Sequence, residues 1–106
     1  HGASRLLTVA DLVYDLDSLE VKRAGKPIKL NPISLKLLEV LMQRSPSVVR
    51  REQLEEAVWG DNCPDSDSLR SHIHQLRQLI DKPFETHLLH TVHGIGFRLA
   101  LQQARV

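Results

Sequence analysis

The stretch SLRSHIHQLRQLID, residues 68–81, has the side-chain chemistry of a surface that meets an anion. It carries two arginines, two histidines and two glutamines, and its only acidic residue, Asp81, comes last. Arginine and glutamine can form paired hydrogen bonds to base edges, whereas an exposed carboxylate would repel phosphates. An ordinary solvated helix face can have the same composition. On residue types alone, a polyanionic partner and a solvated surface both stay open.

Apolar residues recur through this stretch at the spacing of an amphipathic helix. At about 100° per residue, four of them fall within about 60° of arc. These four are Leu69, Ile73, Leu76 and Ile80. His72 lies on the margin of that arc, and we expect a buried, hydrogen-bonded histidine, with a phosphate contact as the alternative. The outward face then consists of Arg70, Ser71, His74, Gln75, Arg77 and Gln78.

The sequence lacks the residue patterns of a disulfide, a metal site or a catalytic site. Cys63 is the only cysteine, so neither an internal disulfide nor a CxxC zinc site can form, and its neighbours in GDNCPDSD are acids. His72 and His74 point about 200° apart on a helix and cannot share a metal as residues i and i+4 can. A catalytic site needs a nucleophile, a base and a stabilising group together, and no such set is visible. We predict no enzyme, no metal site and no cofactor.

Length, composition and charge predict one compact domain with a basic C-terminal part. The chain has 106 residues, 42% hydrophobic and 25% charged, as in globular proteins. No apolar run approaches the roughly 20 residues of a membrane helix, and a lone cysteine fits the cytoplasm. Residues 1–67 hold nine Lys and Arg against eleven Asp and Glu, a balance of −2, whereas residues 68–106 hold five against two, a balance of +3. An anionic partner would bind the C-terminal part.

Turn-forming residues divide both ends of the chain into short strands. The first thirty residues predict strands at 6–9, 12–15, 19–23 and 28–30, and connections this short require neighbouring strands to be antiparallel. Near the C-terminus, two β-prone runs flank the turn residues 93–96 and predict a β-hairpin.

Three helices lie between these strands. Asn31 and Pro32 suit the cap and first position of a helix that stops near residues 45–46. The segment REQLEEAVWG predicts a second helix, which would bury Leu54, Ala57 and Val58 and end at Gly60, and the third helix is residues 68–81. Trp59 is expected to pack at the end of the second helix. The order of elements predicts an α+β winged helix-turn-helix: an N-terminal four-stranded antiparallel sheet, three helices and a C-terminal β-hairpin wing.

Three segments together resemble the landmarks of one family. VVRREQLEEAVWG, LRSHIHQLRQLI and LLHTVHGIGFRL, in this order and spacing, resemble the OmpR/PhoB-type effector domain, the DNA-binding half of two-component response regulators. The resemblance extends from about Leu6 to Leu101. It implies sequence-specific binding of double-stranded DNA and regulation of transcription, with recognition helix 68–81 in the major groove and wing 88–99 at the adjacent minor groove or backbone. A winged-helix module for protein–protein interaction is the alternative.

The resemblance also implies roles for individual residues. Contacts to bases or the major groove are expected from Arg70, Ser71, His74 and Gln75. Phosphate or wing contacts are expected from Ser68, Arg77, Gln78, Thr91, His93 and Gly94. A loop expected to contact RNA polymerase consists of Asp61, Asn62, Cys63, Pro64 and Asp65. His93 stands where the family often has arginine, and Arg50 stands where Ser or Thr usually caps the second helix.

The resemblance finally implies boundaries and partners. Residues 6–101 would form the DNA-binding domain, with 1–5 as a linker remnant or expression scar and 102–106 as a C-terminal tail. The partners would be double-stranded DNA with direct-repeat half-sites, RNA polymerase, and an N-terminal receiver domain that carries the phosphorylated aspartate. The isolated domain is expected to be monomeric and to need no cofactor and no membrane.

Overall fold

A computed structural model describes residues 5–62, 64, 67–84 and 86–101, and this part of the chain folds into two antiparallel sheets and three helices. The elements are β1 (Leu6–Val9), β2 (Leu12–Asp15), β3 (Glu20–Arg23), β4 (Lys26–Ile28), α1 (Pro32–Arg44), β5 (Val49–Arg50), α2 (Arg51–Trp59), α3 (Ser68–Ile80), β6 (Leu89–Val92) and β7 (Gly96–Leu99). The first sheet has the order β1-β2-β3-β4 and the second the order β5-β7-β6. The predicted α+β winged-helix architecture is confirmed.

The ends of the chain are described only in part. Residues 1–4 of the predicted linker and the predicted tail 102–106 lie outside the described residues. The Arg5 carbonyl accepts a hydrogen bond from the Leu16 amide at 2.8 Å, so main-chain pairing of the first sheet begins one residue before β1.

The first sheet follows the predicted strands except at its last two. β3 begins at Glu20 because Leu19 has a φ of 61° and still belongs to the turn. β4 covers Lys26–Ile28, and the predicted strand at 28–30 is wrong by two residues. The reason is a two-residue turn at Ala24 and Gly25, with φ of 53° and 80°, which places Lys26 directly opposite Arg23. Pro27 is tolerated there because an edge strand needs no amide on its outer side.

Helix α1 begins and ends where its sequence signals predict. The Asn31 side chain accepts a hydrogen bond from the Ser34 amide at 2.8 Å, and Pro32 takes the first helical position. The apolar side of α1 is buried, with Leu37, Leu38 and Leu41 fully enclosed. This helix is therefore the centre of the core.

Helix α2 has no side-chain cap from Arg50, and one residue of its predicted apolar side is exposed. Arg50 has no side-chain acceptor, and instead the Gln53 side chain accepts from the Arg50 amide at 3.0 Å. Leu54 is buried and Val58 packs against the core, but Ala57 is exposed, contrary to the prediction. Trp59 also packs against the core, so the packed side of α2 is formed by Leu54, Val58 and Trp59, and Ala57 lies outside it. The helix ends at Gly60, whose φ of 62° favours glycine.

One apolar cluster draws residues from both sheets and from all three helices. The four residues predicted for the inner face of α3 are all buried in it, namely Leu69, Ile73, Leu76 and Ile80. Tyr14, on β2, lies in the same cluster at 1% exposure. Burial, with the Glu39 carboxylate nearby, raises the pKa of the Tyr14 hydroxyl above its ordinary 10.0.

Candidate nucleic-acid interface

The C-terminal hairpin, called the wing here (β6, β7 and the turn between them), is fixed to the helices by a third strand. β5 pairs with β7, with Val49 opposite Phe97 and Arg50 opposite Gly96. A Cβ atom on Gly96 would lie 2.1 Å from the Val49 carbonyl oxygen, so only glycine permits this approach. The two residues of β5 are too few to show a strand period, and the sequence analysis missed this strand.

The turn of the wing exposes two of the predicted contact residues. The Val92 carbonyl accepts from the Ile95 amide at 3.0 Å, and Gly94 has a φ of 77° within this turn. His93 and Gly94 are both exposed at the tip. The wing strands cover 89–92 and 96–99, within the predicted range of 88–99.

Arg77 joins α3 to the wing. Its Nε donates to the Leu89 carbonyl at 3.4 Å, and its Nη2 donates to the Thr91 hydroxyl oxygen at 2.9 Å. Because the Thr91 oxygen accepts this bond, its own proton can still be donated outward. The guanidinium has five N–H donors and also keeps some for a ligand. Arg77 and Thr91 therefore hold the wing against α3 and can still present donors to a phosphate.

A basic groove of about 480 Å³ runs between α3 and the wing. Its cationic or titratable lining residues are Arg51, Arg70, His74, Arg77 and His93. The lining contains no acidic side chain among the described residues. A groove that is lined by several cationic side chains and by no acidic side chain attracts a polyanion.

The predicted contact residues on α3 form two neighbouring stripes. Arg70, His74 and Arg77 follow each other at i, i+4 and i+7 and face the basic groove. Ser71, Gln75 and Gln78 form the second stripe, which is exposed and lies opposite the buried arc. The stripes are linked where the His74 and Gln78 side chains approach to 3.4 Å between their Nε2 atoms. Ser68 begins the helix and lies outside the groove lining, half-buried.

Arg51 is a groove residue that the sequence analysis missed. It is the first residue of α2, its side chain lines the groove, and its amide donates to the Ile95 carbonyl at 3.2 Å. The pair of arginines at 50 and 51 could have indicated a cationic site, but the sequence analysis used it only to mark the start of a helix. A helix start next to a wing is a place where a cation and main-chain amides can meet one anion.

His72 differs in part from its prediction. It is half-buried, and its ring lies 5.8 Å from the Trp59 ring between centroids. However, its buried Nδ1 has no hydrogen-bond partner among the described residues, so the predicted hydrogen bond at this atom is absent there. The contact confirms the packing role predicted for Trp59 and joins the end of α2 to α3.

A buried ion pair fixes the far end of α3 and the start of the wing to the first sheet. Arg23 and Asp81 are 0% and 1% exposed in their side chains, and their Nη1 and Oδ1 atoms are 2.8 Å apart. The Asp81 carboxylate also accepts from the Leu88 and Leu89 amides, each at 2.9 Å. Arg23 further donates to the Ile80 carbonyl and to Thr86. One carboxylate thus positions both α3 and the wing.

The loop predicted to contact RNA polymerase is described only in part. Asp61, Asn62 and Pro64 are exposed, and the Asn62 amide donates to the Trp59 carbonyl at 3.0 Å. Cys63 and Asp65 lie outside the described residues. Within the described ranges, no three histidine, cysteine or acidic residues converge as metal ligands. No helix in those ranges is long and apolar enough to cross a bilayer.

Comparisons with known proteins agree on one family. A family model described as "Transcriptional regulatory protein, C terminal" matches residues 25–99. The transcriptional regulatory protein PcoR of Escherichia coli is 35% identical over 102 residues, which are 95% of this chain and 45% of that protein. The chain spans less than half the length of such curated relatives.

Two solved structures show the same fold. The crystal structure of response regulator DrrB, a Thermotoga maritima OmpR/PhoB homolog, has a TM-score of 0.79 at 27% identity, and the match covers 90% of this chain and 44% of that chain. The crystal structure of the DNA-binding domain of CpxR from E. coli has a TM-score of 0.75 at 27% identity, with coverages of 92% and 97%.

Proposed function

The chain belongs to the family of C-terminal domains of transcriptional regulatory proteins, the DNA-binding domains of OmpR/PhoB-type response regulators, and from this membership we propose how it binds DNA. α3 enters the major groove of double-stranded DNA, and the wing lies at the adjacent minor groove or backbone. The observation that carries this proposal is the basic groove between α3 and the wing, which has no acid in its described lining.

The two stripes of α3 suit two kinds of contact. The outer stripe is furthest from the core and can reach base edges, so Ser71 and Gln75 read bases, and Arg70 and His74 contact them from the groove side. Gln78, at the end of the outer stripe, and Ser68, at the helix start, contact the backbone. The groove stripe continues into Arg77, Thr91, His93 and Gly94, which hold phosphates and support the wing. Arg51 adds a phosphate contact from the start of α2.

The remaining partners follow from the family rather than from the geometry. We propose that a receiver domain precedes this domain in the whole regulator, that the isolated domain is monomeric, and that two copies bind direct-repeat half-sites. We further propose a cytoplasmic location, a polymerase contact at residues 61–65, and no catalytic activity or cofactor.

Salt dependence tests the DNA contact directly. Two phosphate contacts from Arg51 and Arg77 alone predict about tenfold weaker binding between about 50 and 200 mM salt. The measurement is fluorescence anisotropy with a duplex selected from a random library. Arg51→Gln should lower the slope of log affinity against log salt by about 0.9.

Lys22→Gln is the matched control, because it removes the same charge from an exposed position on β3 in the other sheet. An equal change of slope in both variants would mean that only net charge matters. Affinity that is insensitive to salt would instead indicate an apolar interface and a protein-interaction module.

A further inference from the structure

A second pocket, of about 690 Å³, lies on the other side of the wing. Its floor includes His90 and Arg98, which are cross-strand neighbours on β6 and β7. The face of the wing that packs toward α3 carries Leu89 and Thr91, the alternate positions on β6. His90 and Arg98 therefore point away from the basic groove, and the proposed DNA contacts do not use them.

Arg98 is a half-buried cation with no counter-charge among the residues that the structure describes. Its Nε is withdrawn from solvent and has no hydrogen-bond partner among the described residues. No carboxylate within those residues pairs with its guanidinium, since the ion pairs found there belong to Arg23. Removing part of a guanidinium from water without a partner costs free energy, so an orphaned donor of this kind needs an explanation.

The neighbours of Arg98 do not supply the missing charge. The described lining of the pocket contains no acid. Asp11, which follows the lining residue Ala10, is bonded to Arg23 Nε at 3.0 Å. His90 donates from Nε2 to the Ala100 carbonyl at 3.0 Å, because a carbonyl oxygen can only accept. The pocket thus keeps a net positive character.

The pocket lining is mixed, and its apolar part is called the apolar rim here. Val9, Pro46 and Leu101 form it, and Leu101 is 50% exposed. A pocket of this size falls in the range of small-molecule sites, which combine apolar walls with a few polar groups. One cation beside hydrocarbon walls matches a monoanion on a hydrocarbon stem, and the planar fork of arginine suits a carboxylate.

We propose that this pocket, called the Arg98 pocket, binds the carboxylate of an organic acid, with the guanidinium paired to the carboxylate and the apolar rim covering the carbon chain. The acid can be a free small molecule or a glutamate side chain of a protein segment. The two sources share this chemistry, and the experiment separates them.

The test follows the Arg98 Nε–H resonance of the ¹⁵N-labelled 106-residue chain during titrations at constant ionic strength. The probes are acetate, butyrate, the neutral isostere butyramide, and a capped glutamate peptide. Butyrate should bind in the millimolar range and about tenfold tighter than acetate, since it adds two methylene groups against the rim. Butyramide should bind at least about tenfold more weakly than butyrate, because it lacks the charge. Tighter binding of the peptide would indicate a protein segment as the source, and tighter binding of butyrate a free acid.

Two variants complete the experiment. Arg98→Gln should abolish saturable butyrate binding, followed by the amide resonances of Ala10 and Leu101. Arg44→Gln removes an exposed cation beside the pocket residue Ser45, and it should leave the affinity for butyrate within about twofold. The proposal is overturned by equal losses in the two variants, by equal shifts from butyrate and butyramide in the unaltered chain, or by an Arg98 resonance that no acid perturbs.

Discussion

At the scale of residues, Arg77 serves two purposes that a single substitution cannot separate. Its guanidinium bonds the Leu89 carbonyl and the Thr91 hydroxyl, and it also lines the basic groove. If Arg77 holds a phosphate as proposed, loss of this side chain would weaken DNA binding both by freeing the wing and by removing that contact. Gln75 is a sharper probe of recognition because it is exposed and has no hydrogen-bond partner in the described part of the chain.

Gln75→Ala should change which base is preferred at one position of the site. A paired hydrogen bond from glutamine to a base is worth about 1–3 kcal/mol of discrimination, so the preference should fall by about that amount at one base pair. The measurement is the affinity for duplexes that carry each of the four bases at every position. Gln43→Ala on α1 is the matched control and should leave all preferences unchanged. If Gln75→Ala binds the same sequences equally well, the assignment is wrong.

Tyr14 should make the domain less stable in alkali. Its pKa is raised by burial and by Glu39, so the folded state holds the proton more tightly than the unfolded chain. The stabilisation is complete below the unfolded pKa of about 10 and is lost as pH rises through the higher folded value. Tyr14→Phe should therefore show a smaller fall in unfolding free energy between about pH 9 and 11. Equal pH dependence in urea titrations of both proteins would contradict this.

The sequence predicts which residues are exposed better than it predicts what they touch. The outward face of α3 followed from its periodicity, because burial of four apolar residues determines where the others point. The contact of Arg77 with the wing and the placing of Arg51 in the groove depend on how separate elements pack. The Arg23–Asp81 pair joins residues 58 positions apart, and no local pattern indicates such a pairing.

At the scale of elements, Asp81 holds together three parts of the domain. Asp81→Ala leaves Arg23 charged and buried, and it leaves the Leu88 and Leu89 amides without their acceptor. Breaking a buried pair from one side costs about 3–5 kcal/mol, and we expect a loss of that size in the free energy of unfolding. Asp81→Asn should cost less, since it keeps one acceptor oxygen.

Urea denaturation measures these losses, and the exposed Asp17 provides the comparison. Asp17→Ala should change the free energy of unfolding by no more than about 0.5 kcal/mol. A loss from Asp81→Ala no larger than that from Asp17→Ala would show that the pair adds nothing to stability.

Elements with a clear hydrophobic period or a capping residue were predictable from the sequence. Elements whose bounds depend on a turn or on a neighbouring strand were not. Asn31 and Gly60 marked helix ends through their own chemistry. β4 was misplaced because the positive φ of Ala24, a residue that rarely adopts it, shortens the turn. β5 is a strand only because it pairs with β7, so its own two residues could not predict it.

At the scale of the whole molecule, most acidic residues precede α3 and the wing in the sequence. Eleven of the thirteen Asp and Glu precede residue 68. Asp61→Ala combined with Asn62→Ala should leave DNA affinity within about twofold, because surface residues outside a contact contribute little. The same variant of the intact regulator should lower transcription from an activated promoter, as expected for a polymerase contact. Anisotropy and in vitro transcription on one preparation measure both effects.

Each result has a contrary outcome. Unchanged transcription would leave the loop as a connector between α2 and α3. A large loss of DNA affinity would mean that the loop lies on the duplex.

The strand pairing of Val49 with Phe97 has a consequence for the thermodynamics of binding. A two-stranded ribbon in water is only marginally ordered, and it would lose conformational entropy on meeting a ligand. Here β5 pairs with β7, because Gly96 has no side chain to prevent the approach. The wing therefore loses this conformational entropy when the chain folds and not when it binds. The wing is therefore preorganised for binding the duplex. Less of the free energy of its contacts is lost to ordering, so the net affinity is higher.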